Sequence, residues 1–155
     1  MIKLSNLIDE NCINLELGAT RKKDAIEELL AVLEKAGKTG SIDTDGVLKD
    51  IMEREKSSST GIGDGVAIPH KMVEGFDRTV MAFGRKKQGI NFDSIDGKPA
   101  TLFFLILGQE GGSSKHLRIL SKLARLMHDP EFRKTLQNAS SASEIVGAFK
   151  KQEDE

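Results

Sequence analysis

The stretch Leu102-Phe103-Phe104-Leu105-Ile106-Leu107 is the longest uninterrupted apolar run in the chain, and it constrains the fold more than any other feature. An apolar run of strand length fits a strand buried on both faces, which requires something packed above it and below it. It is far short of the about 20 residues that a membrane-spanning helix needs. Helical patterns flank it. Ala25, Leu29, Val32, Leu33 and Ala36 mark one face of a helix over 21–36, with Thr20 as its expected cap and Gly37 as its terminator. Val47, Leu48 and Ile51 mark a second helix capped by Asp43 or Thr44, which should fray near Glu55 or Lys56. Leu117, Leu120, Leu123, Ala124 and Met127 mark a third, over 115–127, and Pro130 opens a further one. Ser143 is the expected cap of the last helix, and 151–155 should form a loose charged tail beyond a domain spanning 1–150.

Short β-like segments lie between these helices. Ile13, Leu15 and Leu17 alternate with polar residues, Val66-Ala67-Ile68 is apolar and partly β-branched, and 80–85 reads as another strand. Pro69 cannot donate to a sheet ladder, so it stops the Val66 strand and leaves His70 at a strand exit. Ser57 to Gly65 holds three glycines and four hydroxyl residues in nine positions and reads as an irregular loop. Gln88 to Pro99 reads as a long connection in which Ile90, Phe92 and Ile95 face the core or a partner. The alternation of strands and helices predicts an α/β fold: one layered domain, with a mixed, mostly parallel sheet and helices on both faces.

Composition removes several function classes. A formal net charge of −1, with Trp and Tyr absent, argues against nucleic-acid binding. The lone cysteine, Cys12, rules out an intramolecular disulfide, and the polar N-terminus does not resemble a signal peptide. The expectation is a cytoplasmic protein without membrane insertion. The histidines lack metal-ligand spacing, no dinucleotide or phosphate-loop fingerprint is present, and no metal or cofactor is expected.

Histidines and their neighbours remain. His70 beside a glycine-rich loop reads equally as a surface residue in a turn or as a functional group that titrates near neutral pH. His116 reads as a polar first-turn residue or as part of an anion site at a helix N-terminus. His128 falls about 120° around the helix from His116, at about 3.6 residues per turn, and reads as solvated. Arg54 reads as a cation complementing a helix C-terminus or as a fork for phosphate oxygens.

The segment from Arg54 through Thr60-Gly61-Ile62-Gly63 to Ile68-Pro69-His70 closely resembles the active-site motif of the enzyme IIA proteins of the bacterial sugar phosphotransferase system. The class is the fructose–mannitol one, which includes a nitrogen-related regulatory type. Phe92-Asp93-Ser94-Ile95-Asp96-Gly97-Lys98-Pro99 and His116 through Ala124 agree with it, so the resemblance covers nearly the whole chain. One departure is the turn over 108–115, which lacks the proline that many members carry. The resemblance implies a phosphoryl-accepting histidine at His70, modified at Nε2, with His116 as the second active-site histidine and Arg54 as the phosphate-stabilising arginine. It implies Thr60, Gly61 and Gly63 as supports of the phosphate-holding loop. It further implies an HPr-type phosphocarrier as donor and the cysteine of an enzyme IIB as acceptor, or a regulator of kinases or transporters that acts through its phosphorylation state.

Overall fold

The apolar run lies at the centre of a sheet covered on both faces. In the computed structural model, which describes residues 2–154, it forms β6 (Ala100–Gln109), and Leu102 to Leu107 are all fully buried. Side chains alternate across a strand. Phe103, Leu105 and Leu107 therefore pack on one side, with residues of α1 (Lys22–Lys35) and α2 (Thr44–Ser57). Leu102, Phe104 and Ile106 pack on the other, with residues of α3 (Ser113–Met127), α4 (Pro130–Asn138) and α5 (Ala142–Asp154). Each fully buried Phe or Leu contributes about 1.5–3 kcal/mol, so losing either helical layer would expose the strand's apolar side chains.

The remaining strands are β1 (Ile13–Asn14), β2 (Gly61–Gly63), β3 (Val66–Ala67), β4 (His70–Val73) and β5 (Val80–Ile90). Their order is β1-β5-β6-β3-β2, and β4 also pairs with β6. The pairings of β1 with β5, β3 with β6 and β4 with β6 are parallel, while β2 with β3 and β5 with β6 are antiparallel. The sheet is thus mixed and mostly parallel by pairing, within one domain, as the alternating pattern predicts. Among the described residues no helix is long and apolar enough to cross a membrane.

Several local expectations give way to tertiary context. The first strand is short because the Glu28 carboxylate takes Asn14 Nδ2 and the backbone N–H groups of Gly18 and Ala19, turning the chain into α1. Arg21, not Thr20, occupies the N-cap of α1 and makes no side-chain cap bond, whereas Asp43 caps α2 as expected. The segment 57–65 is not wholly irregular: β2 and β3 form a hairpin through it, with Asp64 at φ 56° and Gly65 at φ 77° in its turn. Leu117 is 64% exposed because His116, Ile119, Leu123 and Met127, spaced by three and four, take the inward face of α3. Phe92 and Ile90 are buried, and Ile95 is 86% exposed. Ser141, not Ser143, bonds the first turn of α5. The expected loose tail is helical to Asp154, since the Glu153 carboxylate accepts the N–H groups of Leu4 and Ser5 and pairs with Lys122.

Candidate functional site

Pro69 interrupts pairing without ending the strand line. β3 pairs with β6 through Val66 and Ala67, and β4 resumes along the same strand with His70 opposite Ile106. The Pro69 carbonyl accepts the Ile106 N–H at 3.0 Å, which keeps the break flat against β6. His70 accordingly begins the resumed segment β4 rather than standing at a simple exit. Its ring folds back on its own chain, and Nδ1–H donates to the Ile68 carbonyl at 2.7 Å.

The partners of that ring settle its tautomer. A carbonyl oxygen only accepts, so Nδ1 carries the proton. Arg54 Nη1 lies 2.6 Å from Nε2, and a guanidinium only donates, so Nε2 carries the lone pair. Arg54 reaches this position because it occupies the last turn of α2, whose C-terminal end faces the start of β4. Its exposed guanidinium keeps further N–H groups for an incoming anion.

The second histidine comes from α3, in the helical layer opposite α2. His116 lies in the first turn of α3, is buried, and its ring centroid is 5.4 Å from that of His70. Neither of its ring nitrogens has a hydrogen-bond partner among the described residues. The room for this ring comes from Gly108 in β6, where a Cβ would stand 2.6 Å from His116 Nδ1. Nothing in the local pattern around Gly108 signals this close approach.

Both imidazoles are held below the ordinary histidine range. For His70 the main cause is burial, partly offset by the bond to the Ile68 carbonyl; the Arg54 charge lowers it further and Glu55 raises it. For His116 burial again dominates, followed by His70 and Arg54. At neutral pH both rings are therefore uncharged, which is the form in which Nε2 of His70 is a nucleophile.

The residues expected to support the loop, Thr60, Gly61 and Gly63, occupy a different place. Thr60 is buried, its N–H goes to Glu55, and its carbonyl accepts the Ile68 N–H at 2.9 Å, one residue pair from the His70 anchor. Gly61 gives its N–H to Ser59 Oγ at 2.9 Å, and a Cβ there would meet Ser94 Cα at 3.0 Å. Gly63, at φ 92°, lies against Ile95 and Asp96. These glycines admit the 91–96 connection close to the hairpin; their contacts are with that connection, not with the histidines. His128 is 87% exposed near Asp64, away from the site. No group of three or more His, Cys, Asp or Glu among the described residues is placed to hold a metal ion.

A neutral, oriented imidazole beside a guanidinium and a helix N-terminus, set on a layered α/β domain, has the chemistry to attract an anion and to act as a nucleophile. The family model described as the phosphoenolpyruvate-dependent sugar phosphotransferase system, EIIA 2, matches residues 6–152, and the chain belongs to that family. The fructose-specific EIIABC component of Bacillus subtilis (strain 168) is 39% identical over 94% of this chain, which spans 22% of that longer protein. The fructose-specific EIIA component of Haloferax volcanii is 37% identical, over 92% of this chain and 91% of its own length. The solved nitrogen regulatory protein IIA-Ntr from Neisseria meningitidis has a TM-score of 0.86 at 34% identity, covering 94% of this chain and 98% of that one.

Proposed function

We propose that this protein is a histidine phosphocarrier that acts in the cytoplasm. His70 Nε2 attacks the phosphohistidine of an HPr-type donor; the bond from phosphorus to the donor ring nitrogen breaks as the bond to Nε2 forms. The group then passes from Nε2 to the thiolate of an enzyme IIB cysteine, and His70 returns to its neutral form. The observation that carries this reading is the fixed tautomer: the Ile68 carbonyl holds the proton on Nδ1 and leaves the Nε2 lone pair beside Arg54.

Phosphoryl transfer needs in-line placement and stabilised charge more than covalent help. Arg54 supplies a fork for the transferring oxygens. His116 supplies a ring N–H, and the free N–H groups of the first turn of α3 add positive potential. Phosphorylation adds about −1.5 to −2 charge beside Arg54, which changes the surface that a partner meets. Thr60 supports the site through its backbone, and Gly61 and Gly63 through the packing of the hairpin.

A second reading keeps the same chemistry and changes its use: a regulatory IIA whose phosphorylation state controls kinases or transporters. The 34% identity to IIA-Ntr over nearly the full length of both chains favours it. Both readings are tested by incubating the protein with phosphoenolpyruvate, enzyme I and HPr and locating the label by mass spectrometry in alkali. One acid-labile phosphate on His70 is expected. A folded protein that takes no label while a control IIA does would overturn the HPr-type donor. Passage of the label to a IIB cysteine separates the transport role from the regulatory one.

A further inference from the structure

Glu55 follows Arg54 in the last turn of α2, yet its side chain is only 2% exposed. A carboxylate this deeply buried is expensive unless it is paired and hydrogen-bonded. Both of its oxygens accept the Thr60 backbone N–H, at 3.2 and 3.1 Å, and Oε1 pairs with Lys22 Nζ at 3.2 Å. Lys22 comes from the start of α1, is 12% exposed, also reaches Asp93 at 3.2 Å, and lies 5.0 Å from the centroid of the Phe92 ring. Ser59 Oγ donates to the Phe92 carbonyl and closes the same cluster.

The cluster continues into the site. The Thr60 carbonyl takes the Ile68 N–H, and the Ile68 carbonyl takes Nδ1–H of His70. The path from ion pair to imidazole is therefore a chain of hydrogen bonds through the backbone groups of Thr60 and Ile68, running parallel to the direct contact made by Arg54. The tautomer of His70 depends on where the Ile68 carbonyl points, and Thr60 fixes the strand that carries it.

We propose that the Lys22–Glu55 ion pair is a positioning device for the accepting histidine: it anchors Thr60 and, through Thr60 and Ile68, holds His70 with its proton on Nδ1 and its lone pair on Nε2. This rests on the phosphocarrier reading for its purpose, but not for its test. Neither residue touches the reacting atoms. The charged and titratable groups acting on His70 are Arg54 and Glu55 from α2 and His116 from α3. Glu55 is the one whose charge favours the protonated ring.

The test uses the full chain with nitrogen-15 in its histidines. Glu55→Gln keeps an acceptor for Thr60 but loses the charge; Lys22→Gln removes the other half of the pair from a position that reaches the surface. In both variants the His70 nitrogen shifts should show Nδ1 losing proton occupancy. In Glu55→Gln its titration should also move to lower pH. Single-turnover transfer from a phosphorylated donor should slow by about tenfold at saturation with little change in half-saturating donor, as expected when geometry rather than docking is lost. Lys22→Arg should restore the tautomer and the rate. Folded variants with an unchanged His70 tautomer, or with only the half-saturating donor concentration altered, overturn the proposal. Because the tautomer is read without any donor, a wild-type protein that refuses phosphate would refute the function without deciding this point.

Discussion

His70 and His116 face each other across 5.4 Å and are equipped in opposite ways. His70 is tied at both ring nitrogens, to Ile68 and to Arg54. His116 is the more deeply buried of the two and has no hydrogen bond at either ring nitrogen among the described residues. A fully bonded imidazole is fixed in tautomer and direction, as a nucleophile requires. A buried imidazole with free nitrogens costs about 1–3 kcal/mol of desolvation in the resting protein, a cost recovered when an anion arrives. Under the proposed function, one ring reacts and the other receives charge. Strain of this kind is typical of functional sites.

The contrast can be broken at its strong side first. His70→Ala should abolish acid-labile labelling while circular dichroism and melting remain near wild type; a mutant labelled at the wild-type rate would remove His70 from the chemistry. Next, His116→Leu should slow transfer by about 10²-fold, the scale of losing one charge-stabilising donor. It should not lower the melting temperature, because it deletes two unbonded buried nitrogens. A loss of stability with unchanged transfer would reverse the roles assigned to the two rings.

Arg54→Lys keeps the charge but loses the planar fork, and a slowing of roughly tenfold is expected in rapid-quench transfer assays. Stability should change little, since the Arg54 side chain is exposed.

The smallest effect is on acid stability. Both histidines are held below the ordinary range, so at mildly acidic pH the unfolded chain binds more protons than the folded one. Their contribution is complete above about 6.5, the unfolded value, and is lost as pH falls through the folded values. Melting curves should show this acid-side slope, and it should flatten in His116→Leu.

Two arginines make a similar point about environment. Arg85 is 4% exposed and spends its guanidinium on the carbonyls of Leu15, Leu136, Gln137 and Ala139, bracing the end of α4. Arg54 meets one imidazole and otherwise faces solvent. The same side chain braces the fold where buried carbonyls take its Nε and Nη1 donors and stays open to solvent where they do not.

Much of this was readable in the chain. The uninterrupted run of β6, the three-and-four spacing of the helices, the cap at Asp43 and the helix-opening Pro130 are local signals, and they predict a covered central strand with helices on both faces. His70, Arg54 and His116 stand out because the motif that joins two of them is contiguous. What failed was local in another sense. The inward face of α3 is offset to His116, the tail is docked by Glu153 on residues far away in sequence, and the hydroxyl-rich segment becomes a hairpin whose second strand pairs with the distant β6.

By itself, then, the sequence determined the layers and named the candidate site residues, because periodicity and motif reside in neighbouring positions. Only the tertiary structure decided that His70 is neutral with its proton on Nδ1, that Gly108 must lack a side chain for His116 to fit, and that Lys22 reaches Glu55 from another helix. Burial, tautomer and close approach depend on how atoms are placed by folding, and periodicity and motif do not encode that placement even where, as for Ile68 and His70, the partners are neighbours in sequence.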